Sequence, residues 1–472
     1  MVLYEKWSTN VECEFLVNNI NKMKTVKKFI ANPYTYLLKC NQNCERCDFI
    51  MYTERKPIKI NEAVEAVLQF AKEGELEYVS INDSDGRILK QPIKADHDIP
   101  PFDRSPLDGF AIRSEDTVDA SRETPIELEV IETVGAGAIA KRLPKQGQVI
   151  RIMTGAEMPE GTDAIVMFEL TKEIERDGKT FIELKRSFKP GDNISFKAEE
   201  TKTGDILVEA GRQVDPGVKA LLATFGYNKV PVGKKPIIGV YATGTELLDV
   251  EEPLEPGKIR NSNSYMITSQ ILKAGAVPKY YGKLVDDFDR CYEAVVNALD
   301  EVDVLITTGG VSVGDFDYLP AIYEKLGANV LFNKIAMRPG SVTTVAEYKG
   351  KLLFGLSGNP SACYVGFELL TRPWIQLYLG NPKPHLQKVQ GILKSDFPKP
   401  NPFVRFIRSK MTIEEGKIFA EPVGLDKSGV VTSLANSDAL VVLPGGTRGF
   451  KKGDVVDVLL LNGEGSTEIL EK

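Results

Sequence analysis

Histidine is almost missing from this chain: His97 and His385 are the only two in 472 residues. That argues against a histidine metal centre and against a histidine general base, because imidazole is the side chain most often used for both. Long apolar runs are missing too. No stretch approaches the ~20 uncharged apolar residues that span a bilayer, and the start "MVLYEKWSTNVECEF" has no basic segment leading into an apolar core and a small-residue cleavage site. A cytoplasmic protein with no membrane association is expected. Basic residues do not dominate: 59 Lys and Arg face 66 Asp and Glu, for a net charge of −7. No concentrated basic face is available to neutralise phosphates, so nucleic acid is not an expected partner and any anionic ligand must be met locally. A G-x-x-x-x-G-K-[ST] phosphate loop is absent. Gly135-Ala136-Gly137 imitates a dinucleotide turn, but Pro144 leaves no room for the crossover helix such a turn requires. Six cysteines, four of them before residue 48, do not make a disulfide framework, and Cys291 and Cys363 read as core thiols.

What is present is a chain of 42% apolar composition, long enough for about three or four domains. Residues 1–50 differ in composition from the rest and read as an extension, after which Met51 resembles a natural start. In 51–75 a helix is expected, capped by Asn61, with Val64, Val67, Leu68 and Ala71 on one face and Gly74 closing it; it is read as packing on an α/β domain. Residues 76–235 are strand-rich, with alternating runs such as "IELEVIETV" and "QVIRIMTG" between short turn signals. From 236 to 384, uniformly apolar strands ("PIIGVYATG", "VDVLITTGG", "LLFGLSGNP") alternate with amphipathic helices, which predicts a parallel, doubly wound sheet covered on both faces. Alternation returns in 385–472, implying a small C-terminal β domain, barrel-like in form. The fold class expected is therefore multidomain, α/β plus β.

Ligands of open α/β sheets sit beyond the carboxyl ends of the strands, and three such ends are distinctive here. They are Thr243-Gly244-Thr245-Glu246, the loop "TTGGVSVGDFDY" at 307–318 and "GLSGNPSA" at 355–362. Glycines admit a bound group close to the backbone, and loop and helix-start N–H groups hold anions. One such loop is an ordinary turn as readily as a site; three on one edge favour a phosphate or similar oxyanion. Carboxylates crowd the same edge in Glu246, Asp286, Asp315 and Asp317. Taken alone, Asp286 reads as a helix cap. Beside a phosphate loop, such oxygens suit magnesium, which takes one or two carboxylates plus substrate phosphates. Lys334, Arg338 and Arg408 offer the opposite charge, although isolated cations are usually solvated surface. Upstream, "DIPPFDRSPLDGFAIR" at 98–113 is a turn-rich loop of the kind that carries function when it is not a plain connector.

Taken in order, "PPFDRSPLDGFAIR", "RIMTGAEMPEGTDAIV", "KPGDNI", "ATGTEL", "IRNSNSYM", "TTGGVSVGDFDY", "MRPGS" and "GLSGNPSA" closely resemble the MoeA family of molybdopterin molybdenumtransferases, relatives of the gephyrin E domain, over residues 51 to 472. The resemblance implies a reaction in which adenylylated molybdopterin is hydrolysed in the presence of Mg2+, AMP leaves and molybdate is inserted at the dithiolene. It also implies a homodimer with clefts shared between subunits, and the molybdopterin adenylyltransferase as a further partner. Carried over position by position, it gives catalytic roles to Asp108, Glu246, Asp286, Asp317 and Lys334, with Glu246 and Asp286 as the magnesium ligands. Substrate-binding roles fall on Thr243, Gly244, Ser264, Gly309, Gly310, Ser312, Gly314, Arg338, Gly358, Asn359, Pro360, Arg408 and Ser428. The chain departs from the family where Arg338 and Ser341 replace lysines, where Ser357 replaces a proline and where Asn193 follows Asp192 in place of an acid. Arginine holds an oxyanion with a planar fork in place of a point charge, so activity is compatible with the change. Two other readings are a gephyrin-like scaffold that binds partner peptides and a molybdopterin adenylyltransferase. The second lacks the flanking β domains read here, and the first does not require the retained acidic positions.

Cys40, Cys44 and Cys47 in "CNQNCERC" resemble the cluster loop of radical S-adenosylmethionine enzymes. Such an enzyme needs a large barrel after the loop, and the MoeA-like text begins within a few residues. An extension without catalytic function is favoured over a three-thiolate metal site, and that over a cluster. Deleting residues 1–50 is expected to leave thermal stability, dimerisation and molybdenum insertion unchanged. Loss of activity together with loss of about one bound metal per chain would overturn this.

Overall fold

The computed structural model describes residues 29–31, 34–39, 48–53, 56–285, 287–310, 318–463 and 465–467. Cys40, Cys44 and Cys47 lie outside them; Phe29–Ala31, Tyr34–Lys39 and Asp48–Thr53 form a three-stranded antiparallel sheet. The chain divides into two compact units, one of Met1–Ala71, Ile237–Trp374 and His385–Lys472, the other of Lys72–Pro236 and Ile375–Pro384.

In the first unit a six-stranded sheet runs in the order Val277–Leu284, Ile237–Thr243, Val304–Thr308, Lys351–Leu356, Thr344–Tyr348, Asn329–Phe332. The apolar strand residues are the reason: Ile238, Val240, Val304, Ile306, Leu352 and Phe354 are all fully buried. The first four strands are parallel, as read from the sequence. Thr344–Tyr348 runs antiparallel to both of its neighbours, which the sequence reading did not anticipate. The cause is the two-residue loop Lys349-Gly350, whose φ values of 51° and 82° match the left-handed pattern of a tight hairpin. Helix Phe288–Glu301 buries Cys291, Val295, Ala298 and Leu299 at helical spacing, and its cap is Asp287, which accepts from Arg290 N at 2.9 Å. The helix after Leu356 runs Pro360–Gly366, passes through a π turn at Phe367–Thr371 and resumes as Arg372–Tyr378. Pro373 lacks an N–H and its ring crowds the carbonyl four residues back, and the wider turn relieves both.

The N-terminal helix spans Ile60–Leu68 with Ile60, Ala63, Val64 and Val67 buried. Its cap is Lys59, whose N–H donates to Glu62 at 3.2 Å, so Asn61 lies inside the helix and does not cap it. Gly74 does not close it either. The helix ends six residues earlier, and the Gly74 N–H donates to Tyr378 O (2.9 Å) within the second unit. In the C-terminal region, Val404–Glu414 pairs with both Lys417–Pro422 and Ala439–Leu443, and Lys388–Leu393 and Val455–Leu460 complete a closed five-stranded barrel around Ile407, Ala420, Val441 and Val458.

The second unit holds a six-stranded sheet around Phe110, Ile112, Val149 and Val166. It has a separate small core of Leu89, Ile93, Leu222 and Val230, to which helix Pro216–Thr224 contributes. Among the described residues, no helix is long and apolar enough to cross a membrane.

Candidate active site

Beyond the carboxyl ends of Ile237–Thr243, Val304–Thr308 and Lys351–Leu356 lies a cleft of about 690 Å³. Its lining combines polar or glycine positions, Thr243, Gly244, Glu246, Gly309, Gly310, Ser357, Gly358 and Asn359, with largely apolar ones, Leu284, Val285, Cys291, Tyr318 and Leu319. Backbone locks hold the polar positions together. The Thr243 hydroxyl donates to Thr308 O (3.1 Å), and the Gly309 N–H donates to Leu356 O (2.9 Å), so the three strand ends are tied by two bonds. Gly309 has φ +94°, and a Cβ there would stand 2.6 Å from Thr243 Oγ1. At Gly244, φ +130°, the Glu246 carboxylate folds back to within 2.5 Å of where a Cβ would be. Gly309 requires glycine for conformation and for space, and Gly244 for its conformation. Asn263 Nδ2 supports the third loop by donating to Gly358 O (2.8 Å), and Asn359 N donates to the Ser357 hydroxyl (3.2 Å). Pro360 opens the helix that follows.

A smaller recess of about 220 Å³ adjoins, lined by Arg338, Pro339, Gly340, Ser341, Arg405, Asp426, Lys427 and Ser428. Gly340, Ser341 and Ser428 line both spaces and form their common wall. Arg338 is exposed and its side chain has no ion pair or hydrogen bond among the described residues, which leaves its guanidinium available to an anion. Arg405 is nearly buried, ion-paired to Asp426 at 2.5 Å and donating to Asn401 Oδ1 at 2.6 Å.

Several residues singled out in the sequence sit elsewhere. Arg408 is not in the recess. It is 1% exposed, and its Nε donates to Ser433 Oγ (2.9 Å) and its Nη2 to Leu425 O (3.1 Å) and Lys427 O (3.4 Å), while Nη1 has no partner among the described residues. Burial pushes its pKa down, and the charge of Asp426 opposes that shift. Arg405 lines the recess instead. The two are three apart on one strand and so face opposite sides of it, a distinction the period-two rule offered to the sequence reading. Ser264 is buried and lines neither space, and its hydroxyl has no partner among the described residues. Lys334 lines neither space; its carbonyl accepts from Ile58 N (3.1 Å). Asp108 belongs to the other unit, where the Thr154 backbone N–H and hydroxyl hold its carboxyl below the usual carboxylate range. Asp192 accepts from Lys189 N (2.8 Å), and Asn193 sits at φ 59° with Nδ2 donating to Ile165 O (2.8 Å), a conformation asparagine tolerates well. Asp286, Ser312, Gly314, Asp315 and Asp317 lie outside the described residues.

Magnesium needs few protein ligands when phosphates and water complete its shell. Glu246, an oxygen donor in the lining of the cleft, fits that requirement. Among the described residues no group of three or more His, Cys, Asp or Glu converges, so no cage made of protein alone is formed there.

The β-rich unit, the α/β domain with glycine loops at its strand ends and the closed barrel each correspond to a profile of the molybdopterin biosynthesis class. Residues 58–226 match the profile described as MoeA N-terminal region (domain I and II), 239–377 that of a probable molybdopterin binding domain, and 390–461 that of the MoeA C-terminal region (domain IV). The chain belongs to the MoeA family. It is 58% identical over 418 residues to the molybdopterin molybdenumtransferase of Bacillus subtilis, covering 89% of this chain and 97% of that one. It is 49% identical over 407 residues to that of Staphylococcus epidermidis, covering 86% and 96%. The crystal structure of the molybdopterin biosynthesis moeA protein from Pyrococcus horikoshii OT3 superposes with a TM-score of 0.73 at 33% identity, covering 86% of this chain and 100% of that one.

Proposed function

We propose that this chain inserts molybdate into adenylylated molybdopterin with release of AMP, as a cytoplasmic homodimer in molybdenum cofactor biosynthesis. The observation that carries the reading is the pair of joined recesses. The larger has the size of a small-molecule site, with phosphate-friendly polar positions and apolar ones for a ring system. The smaller presents the unpaired Arg338 guanidinium and the Ser428 hydroxyl, donors suited to a tetrahedral oxyanion. The nearby Arg405 cancels the charge of Asp426, which would otherwise repel the anion. The wall shared by the two recesses puts the anion next to the nucleotide.

Within this reading, the N–H groups around Gly309, Gly310 and Gly358 hold the pyrophosphate, and Glu246 with Asp286 holds Mg2+. When bound, the ion neutralises charge on the phosphates as the bond to AMP breaks. Asp108, in the β-rich unit and outside both linings, acts across the subunit boundary of the dimer.

The test mixes purified protein with adenylylated molybdopterin, Mg2+ and molybdate and follows AMP. Molybdate-dependent release is expected; its absence would favour the scaffold reading. Arg338→Ala is expected to raise the molybdate concentration for half-maximal release about 10-fold, the equivalent of one charged hydrogen bond, and to leave AMP binding unchanged. Unaltered molybdate dependence in that variant would sink the assignment of the smaller recess.

A further inference from the structure

Glu246 enters the larger cleft just before a short parallel pair, Leu247–Leu248 against Ile259–Arg260. The pair takes alternate carbonyls of the incoming segment: Ile259 N donates to Glu246 O (2.9 Å) and Asn261 N to Leu248 O (2.8 Å). The two carbonyls it passes over are each taken by an ammonium. Lys258 Nζ donates to Thr245 O (2.6 Å). Lys283 Nζ, from the sheet strand Val277–Leu284, donates to Leu247 O (3.2 Å) and ion-pairs with Asp249 at 3.4 Å. The Glu246 carboxylate itself has no hydrogen bond or ion pair among the described residues. Both ammoniums that bind this loop thus act on its backbone and leave its carboxylate open.

We infer that Lys258 is a positioning residue for Glu246, fixing the direction of its carboxylate toward a divalent cation without touching the cation or the nucleotide. The inference rests on the reading of Glu246 as a magnesium ligand. A side chain leaves the backbone along the Cα–Cβ bond, and the two rigid peptide planes that meet at Cα set that direction. At Glu246 the second plane carries Glu246 O, held by Ile259 N; the first carries Thr245 O, held by Lys258. Among the described residues no backbone donor reaches Thr245 O, and the chain arrives there through Gly244, at φ +130°, whose own conformational preferences restrain it little. The fold does not depend on this bond. Thr245 is exposed, so water takes over its carbonyl when the ammonium is removed, and water satisfies the carbonyl without tethering it. The parallel pair and the Arg260 Nη2 bond to Glu252 O (3.1 Å) keep the turn between the two short strands closed.

The test reads metal-assisted binding and not turnover. ADP serves as the probe, because its pyrophosphate matches that of adenylylated molybdopterin, and its binding to the full-length protein is followed by calorimetry as Mg2+ is added. In Lys258→Met, the Mg2+ concentration that half-maximally enhances ADP binding is expected to rise about 5- to 10-fold, the effect of losing one charge-assisted hydrogen bond. ADP binding without Mg2+ and the melting temperature are expected to match those of the unaltered chain. Lys258→Arg, which keeps a cationic donor of similar reach, is expected to recover most of the loss. Unchanged Mg2+ dependence in Lys258→Met, or an equal loss in Lys258→Arg, overturns the inference. So does weaker ADP binding to Lys258→Met without Mg2+, since the ammonium would then be meeting the phosphates itself. If Lys258→Met does not fold, Lys258→Gln, whose polar end falls one bond short of Thr245 O, is read in the same way. Glu246→Gln, run alongside, separates the two levels. Loss of Mg2+ enhancement in that variant with none in Lys258→Met rejects the positioning role alone, whereas no loss in Glu246→Gln rejects the magnesium assignment and the positioning role with it.

Discussion

Glu246→Ala is expected to lower the rate of AMP release by about 100-fold or more, the loss that follows removal of one electrostatic stabiliser from a phosphoryl-cleaving site. The carboxylate stands at the carboxyl end of the first parallel strand, folded over Gly244, in the lining of the cleft. Its backbone is held independently, since Ile259 N donates to Glu246 O (2.9 Å), so truncation at Cβ removes the charge and leaves the loop in place. Circular dichroism and sedimentation of the variant should match those of the parent chain. Asp286→Ala is expected to behave alike: the neighbouring Asp287 already caps the helix, so Asp286 is not required for that duty. Parental rates in both variants would remove the magnesium and phosphate assignment.

Gly309→Ala should be nearly as damaging for a different reason. A left-handed backbone costs alanine about 1–3 kcal/mol, and the added methyl would also meet the Thr243 hydroxyl at 2.6 Å and its carbonyl at 3.0 Å. The loop can relieve this only by breaking the Gly309 N–H bond to Leu356 O or by displacing Thr243, and either change spreads the strand ends. Binding of AMP is expected to fall at least about 10-fold. Combining it with Thr243→Ala, which clears the hydroxyl, should restore part of the affinity; an unaffected single variant would show that this loop is not where the nucleotide sits.

Much of this architecture was legible because period and burial agree. Buried strands such as "IIGVYAT" and "VLITT" have no charged interruption, and glycine loops follow their ends. Local chemistry misled where two neighbouring residues suited one job. Asn61 is a better cap by type than Lys59, yet burial of Ile60 draws the cap back by two residues. Arg405 and Arg408 are alike in type, and only the side of the strand each faces separates a recess wall from a buried brace. The common wall made by Gly340, Ser341 and Ser428 joins segments almost ninety residues apart, a proximity that no periodicity encodes.

The division of the chain has a consequence for biosynthesis on the ribosome. The α/β and barrel unit is assembled from three separated segments, and its last piece begins at His385. The β-rich unit is nearly continuous from Lys72 to Pro236 but borrows Ile375–Pro384, whose Tyr378 carbonyl accepts the Gly74 N–H and whose Leu379 carbonyl lies against Gly233. A nascent chain halted before Ile375 therefore has both units begun and neither finished, with Gly74 and Gly233 bare to solvent. Emergence of those ten residues completes the β-rich unit, and the α/β unit waits for the barrel.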